Sequence, residues 1–179
     1  MRRFLQTLAL ISCVAALHGA TLERLTLEQM ISKSTAIVRG TVTASSAAFS
    51  GPVIYTHYTV QVSEQYKGAT GSSVDVVVPG GTVGGVRQSF SGAPTLNQGE
   101  QYVLMLWTGR NGLTQVIGLT QGLFELAPGS TSDPTLTRTA TRELMLDAQT
   151  GQPVKDQTLT MHLSDLRTKI SSVLAGKAN

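Results

Sequence analysis

A chain of 179 residues with 14 Lys plus Arg, 11 Asp plus Glu and one cysteine is sized for a single domain whose core needs no disulfide support. The net charge of +3 and a pI near 9.2 suggest a polyanionic partner only until Arg2 and Arg3 are assigned to a removable segment. Without those two, twelve bases face eleven acids, and the basic excess that a nucleic-acid surface demands is gone.

The amino terminus begins Met1-Arg2-Arg3, continues as an apolar run from Phe4 to Leu17 broken by Gln6, Thr7, Ser12 and Cys13, and ends in Gly19-Ala20. A short positive region, a short apolar stretch and a small-residue cut site predict a secretory signal peptide over residues 1–20. A membrane-spanning helix needs about 20 apolar residues, and this run is shorter. Cleavage after Ala20 puts His18 at the third position back, and cleavage after Ala16 with Val14 behind it is the alternative. Leu10-Ile11-Ser12-Cys13 also resembles a bacterial lipobox, which would make Cys13 a lipidated first residue. A cut there shortens the apolar segment and strands Val14 to Leu17 on the mature side, which favours a cysteine discarded with the signal. The expected location is secreted or periplasmic, with a lipid anchor at Cys13 as the alternative and no membrane span.

Beyond the signal, Thr26 with Gln29 is a capping-box pattern and Leu25 with Met30 its hydrophobic staple. They predict a short helix over Leu27–Lys33 that buries Leu27, Met30 and Ile31. The apolar period then shortens to two. Ala36 to Thr43 reads as a strand, and Ser50-Gly51-Pro52 as a turn. Val53 to Tyr66 reads as a long second strand with Tyr58, Val60 and Val62 on one face, closed by Lys67-Gly68. Val74, Val76 and Val78 make a third strand ended by Pro79-Gly80-Gly81, and Val83 to Phe90 a fourth. Asn97 to Glu100 turns into Tyr102–Trp107, the most apolar strand and hence the central one. Arg110-Asn111-Gly112 is a hairpin signal, followed by Leu113 to Ile117 and Gly122 to Leu126, with Gly118 and Gly122 as bends or bulges. Residues 128–134 read as a loop or linker, and Glu143 to Leu146 with Val154 as a small hairpin around Asp147 to Pro153. Ser164 is placed to cap a last helix with Leu163, Leu166, Ile170, Val173 and Leu174 on one face, stopped by Gly176.

Twisted strands with glycine bends favour closure, which removes exposed edges. The expected class is mainly β: a small antiparallel OB-like β-barrel of five or six strands, with a short N-terminal helix and a C-terminal amphipathic helix packed against one end. A β-sandwich is the competing architecture. The division expected is 1–20 signal peptide, 21–127 barrel with the N-terminal helix, and 128–179 loop, small hairpin and C-terminal helix packed on the barrel.

From Thr35 to Leu126 the order of motifs resembles a group of uncharacterised exported bacterial proteins. It runs Ala36 to Val42, Tyr66-Lys67-Gly68, Val78-Pro79-Gly80-Gly81, Val83-Gly84-Gly85, Gly92-Ala93-Pro94, Gly99-Glu100-Gln101-Tyr102-Val103-Leu104 and Gly118-Leu119-Thr120-Gln121-Gly122. That resemblance covers about half the chain and implies export and this fold, with no activity. A more distant layout is similar to netrin-like domains, including the tissue inhibitors of metalloproteinases. Their inhibitory mechanism requires an N-terminal cysteine held by disulfides, and it transfers to no residue of a mature chain without cysteine.

The glycine-rich run Pro79 to Gly85 lacks the lysine of a phosphate loop and the Gly-x-Gly-x-x-Gly spacing. Gly80, Gly81, Gly84 and Gly85 read first as turn glycines. As an exposed loop on a rigid scaffold they also form the candidate binding loop, with Arg87 as its charge-assisted donor. His57 and His162 lack metal-ligand spacing, no Gly-x-Ser-x-Gly elbow occurs, and no carboxylate pair points to glycoside hydrolysis. Tyr55, Tyr58 and Tyr66 share a strand, with Tyr55 out of phase with the other two and no interleaved bases, which reads as core and rim rather than a stacking platform. No catalytic residue, metal or cofactor is expected. The expected role is an exported non-catalytic module whose loops bind a protein, peptide or glycan. The rivals are an envelope hydrolase in which His57 is the base and Asp75 its orienting carboxylate, and a protease-inhibitor-like module.

Overall fold

The computed structural model describes residues 20–127 and 132–176. Residues 1–19 of the predicted signal peptide, with Cys13 and His18, lie outside the described residues, as do positions 128–131 of the predicted loop. The elements run β1 (Thr21–Glu23), α1 (Leu27–Lys33), β2 (Ala36–Ser50), β3 (Val53–Lys67), β4 (Ser73–Pro79), β5 (Gly81–Val83), β6 (Val86–Gln88) and β7 (Gln101–Thr108). They continue with β8 (Thr114–Val116), β9 (Leu123–Leu126), β10 (Thr135–Arg138), β11 (Leu144–Leu146), β12 (Pro153–Val154), β13 (Leu159–His162) and α2 (Leu163–Ala175).

The fold is mainly β with two helices. Its main sheet has eight strands, more than the five or six expected, in the order β13-β10-β9-β7-β2-β3-β4 with β8 also on β7. Every pairing in it is antiparallel. Among the described residues no ladder joins its two ends, although the outer edge of β4 lies close to β8. The expected central strand is central: Tyr102 to Leu106 are all buried because β7 is covered on both faces. Alternate residues along it enter two separate cores. Tyr102, Leu104 and Leu106 join Val38, Val60, Val76 and Val78 on one face. Val103 and Met105 join Ile37, Phe124 and the helix residues Met30, Ile31, Leu163, Leu166 and Ile170 on the other. Both helices therefore cover one face of the sheet, where the sequence suggested a helix at one end.

Helix α1 begins at the predicted box: the Thr26 hydroxyl accepts from Gln29 N at 3.2 Å, and Gln29 Oε1 accepts from Thr26 N at 2.8 Å. Lys169 of α2 pairs with Glu28 of α1, and that bond, first among its causes, holds the Glu28 carboxyl below its ordinary value. At α2 the predicted cap is corrected. His162 is the N-cap, and Ser164, one turn residue inside, uses N and Oγ to hold Asp133 at 2.8 and 2.7 Å. The aspartate reaches in from outside the helix and satisfies a first-turn N–H that its own residues leave open.

Three departures from simple alternation shape the long β2–β3 ribbon. The register slips between Ile37 and Val38, between Arg39 and Gly40, and between Val42 and Ala44, leaving Tyr66, Ser63 and Thr43 as extra residues. Each bulge moves the following residues to the other face. Tyr58 thus lies in the core of one face and Tyr66 against the helix-side core, although their numbers have the same parity. Gly40 sits at the second slip, where a Cβ would come within 2.5 Å of the Gln61 carbonyl oxygen. The predicted fourth strand is also corrected: Val83 to Phe90 is broken by Gly84-Gly85 into the hairpin β5–β6. Both turn glycines have positive φ, +56° and +81°, the pairing that a two-residue hairpin turn requires. The sequence missed β1, which pairs parallel with β11, and β10 with β13.

Candidate functional site

The β5–β6 hairpin folds back over the β2–β3 ribbon and is pinned at its base. Gln88 accepts from Ile54 N at 2.7 Å and donates to the Pro52 carbonyl at 2.9 Å. Gly80 N donates to the Ile54 carbonyl at 2.8 Å, and the Thr56 hydroxyl donates to the Gly80 carbonyl at 2.7 Å. Gly81, at φ +141°, lies so close to the ribbon that a Cβ would meet Thr56 Oγ1 at 2.7 Å and Ala47 Cβ at 3.0 Å. The facing segment, Ser89 to Thr95, is held from its far side, where the Ser91 hydroxyl donates to Glu143 at 2.9 Å.

Between hairpin and segment is a recess of about 310 Å³, at the small end of the range for ligand sites. Three of the five predicted loop residues, Gly80, Gly81 and Arg87, line it. Gly84 and Gly85 form the hairpin tip and have open space around them. The sequence did not point to the rest of the lining: Tyr58 and Val78 on the floor, and Phe90, Pro94 and Thr95 on the far wall. Tyr58 was readable as a core residue, and it is one, 9% exposed, but the same side chain also borders the recess. Arg87 is exposed and has no hydrogen-bond or ion-pair partner among the described residues.

His57 and Asp75 are brought together as the rival reading required, with Nδ1 2.8 Å from Oδ2. Ser46 stands directly across the ladder from His57. The three lie on an open stretch of the sheet, across β2, β3 and β4, with the histidine side chain 36% and the aspartate 56% exposed. His162 is also exposed, 3.9 Å from Asp133. Among the described residues no group of three His, Cys, Asp or Glu could hold a metal ion. No helix among them is long and apolar enough to cross a membrane.

The densest charge cluster is under α2. Glu64 accepts from Arg39 at 2.8 Å, from the Tyr66 hydroxyl at 3.1 Å and from Arg167, whose guanidinium lies 6.0 Å from the Tyr66 ring centre. Partial burial opposes the Glu64 charge, but the bonds from Arg167, Arg39 and Tyr66 outweigh it and keep the carboxyl below its ordinary value. Burial, reinforced by Glu64, pushes the Tyr66 phenol up to about 12. Both guanidiniums share the Glu64 carboxylate within the fold, so the cluster reads as a clamp between ribbon and helix. Comparison with protein-family models, with curated proteins and with solved structures finds no match for this chain.

Proposed function

We propose that the chain is an exported, non-catalytic binding module that takes its ligand in the recess between the β5–β6 hairpin and residues 89–95. The observation that carries this reading is a preformed recess, braced on both walls by hydrogen bonds, beside an arginine with no partner of its own. Export rests on the signal pattern over residues 1–20, and a periplasmic or secreted location follows from it. The finer architecture proposed is an OB-like, netrin-like barrel. It is supported by the single core that gathers residues from β2, β3, β4, β7, β8 and β9 on one face, and by the approach of β4 to β8.

The test is retention of components from a fractionated cell envelope on the immobilised protein. Replacing Thr82 by Trp fills the recess from an exposed strand position that tolerates aromatics. The expected result is a component retained by the natural sequence and lost by T82W. Equal retention by both refutes the reading.

A hydrolase is the second reading, favoured by the contact of His57 with Asp75. It requires Ser46, or another hydroxyl, to act as nucleophile with an oxyanion site beside it. Any hydrolytic activity of the purified protein that survives His57→Ala eliminates this reading.

A further inference from the structure

We propose that the recess binds the terminal α-carboxylate of a peptide, with Arg87 as countercharge and the Tyr58 hydroxyl as a hydrogen-bond donor; this rests on the reading of the recess as the binding site. The sign of the ligand comes from the lining. Arg87 is its one charged residue, no acid is among the others, and nothing among the described residues neutralises it. An anionic ligand gains an ion pair with that guanidinium, which a neutral ligand such as a plain glycan does not.

The functional group comes from Tyr58. Tyr58 is 9% exposed, and its hydroxyl bonds to no described residue but keeps some accessible surface. The fold satisfies two other tyrosines with carboxylate oxygens: Tyr102 donates to Glu100 at 2.6 Å and Tyr66 to Glu64 at 3.1 Å. Tyr58 lacks its carboxylate, and the surface left to it borders the recess. One guanidinium fork matches one carboxylate in charge and geometry. A phosphate dianion would leave one negative charge uncompensated.

Size and access give the remainder of the ligand. A volume of about 310 Å³ suits one terminal residue rather than a folded partner. Val78, Ala93, Pro94 and the exposed Phe90 offer apolar surface for its side chain. The rim residues Thr82, Arg87, Ser89 and Thr95 are exposed, so the chain leading to that residue can leave toward solvent.

The experiment is calorimetric or NMR titration of the protein with N-acetyl-leucine, its amide, and a hexapeptide ending in leucine with a free or amidated terminus. The acids are expected to bind at least about tenfold more tightly than the amides, the ratio of a lost charge-assisted bond. Arg87→Gln, an exposed substitution, should remove that preference, and Tyr58→Phe should weaken acid binding several-fold with amide binding unchanged. Tighter binding of the hexapeptide than of N-acetyl-leucine supports a peptide terminus, and equal binding overturns the peptide in favour of a free organic acid. Equal affinity for acid and amide, an unchanged Arg87→Gln protein, or stronger binding of inorganic phosphate or an oligouronate overturns the proposal. If the titrations fail while T82W still abolishes envelope retention, the binding module stands and only its ligand is wrong.

Discussion

The ion pair between Arg138 and Asp156 should carry a large share of the stability of the C-terminal third. Its side chains are 6% and 3% exposed. Arg138 Nη1 and Nη2 donate to the two carboxylate oxygens at 2.9 and 2.7 Å, Nη2 also donates to the Gln157 carbonyl, and Thr141 N donates to Asp156 Oδ2 at 2.9 Å. Arg138 is on β10, and Asp156 is in the segment leading to β13, so the pair closes the excursion that holds β11 and β12. Asp156→Asn keeps the shape and one acceptor but strands a guanidinium whose Nε is already buried without a partner. Removing one partner of a buried pair costs about 3–5 kcal/mol, a large part of the roughly 5–15 kcal/mol that holds a domain together. Urea denaturation should show that loss with an unchanged m-value, whereas Glu23→Gln, breaking the exposed pair with Lys33, should cost no more than about 1 kcal/mol. The acid limb gives an independent reading. Burial of Asp156 opposes its charge, but the bonds from Arg138, Thr141 and Gln157 hold its pKa below the ordinary value. A lowered folded-state pKa contributes stability that is present above the ordinary aspartate range and lost as pH falls through the folded value. The natural protein should therefore lose stability below about pH 4, with a shallower loss in D156N. A D156N protein within about 1 kcal/mol of the original, with the same acid limb, would refute the account.

Three further outcomes test other joints of the fold. Gly81→Ala should cost about 2–5 kcal/mol, because it combines a strained φ with close approach to Thr56 and Ala47; Gly84→Ala, in open space, should cost only about 1–2 kcal/mol, and equal urea midpoints would contradict this. Gln121 is 1% exposed and holds Leu25 N at 2.8 Å and the Glu23 carbonyl at 2.9 Å, so Gln121→Ala should cost about 2–4 kcal/mol and speed amide exchange at Leu25 while β7 stays protected. Mass spectrometry of the protein recovered outside the cytoplasm should give a first residue of Thr21, and a lipid-modified Cys13 would replace that cut with the alternative.

Local signals were legible wherever they were complete within a few residues. Thr26 and Gln29 contain all the information for the start of α1, and the unbroken apolar run of β7 tells of a strand covered on both faces. Long-range features were not legible. The pairing of β1 with β11 joins three residues to three others over a hundred positions away, and nothing in either triplet names the other. Bulges were hidden for a related reason: a period of two assumes that no residue is skipped, so Tyr66 was assigned by parity to a face it does not occupy. The Gly84-Gly85 pair between Val83 and Val86 is a turn signal, but the apolar residues on either side let Val83 to Phe90 also read as one strand.

The candidate site shows the same division. The glycines and Arg87 are adjacent in sequence, so a loop with a cation was visible from the chain alone. Tyr58 was not, because a tyrosine in register with Val60 and Val62 has every mark of a core residue. Its second role depends on where the hairpin lands. Gly80 and Gly81 let β5 turn back over Thr56, and this places the recess against the strand position that carries the phenol. The packing covers most of Tyr58 but leaves its hydroxyl accessible and without a protein partner, while the hairpin brings a free guanidinium to the same recess. A donor open to the recess and a cation on the same lining suit a single carboxylate, which accepts from the one and pairs with the other.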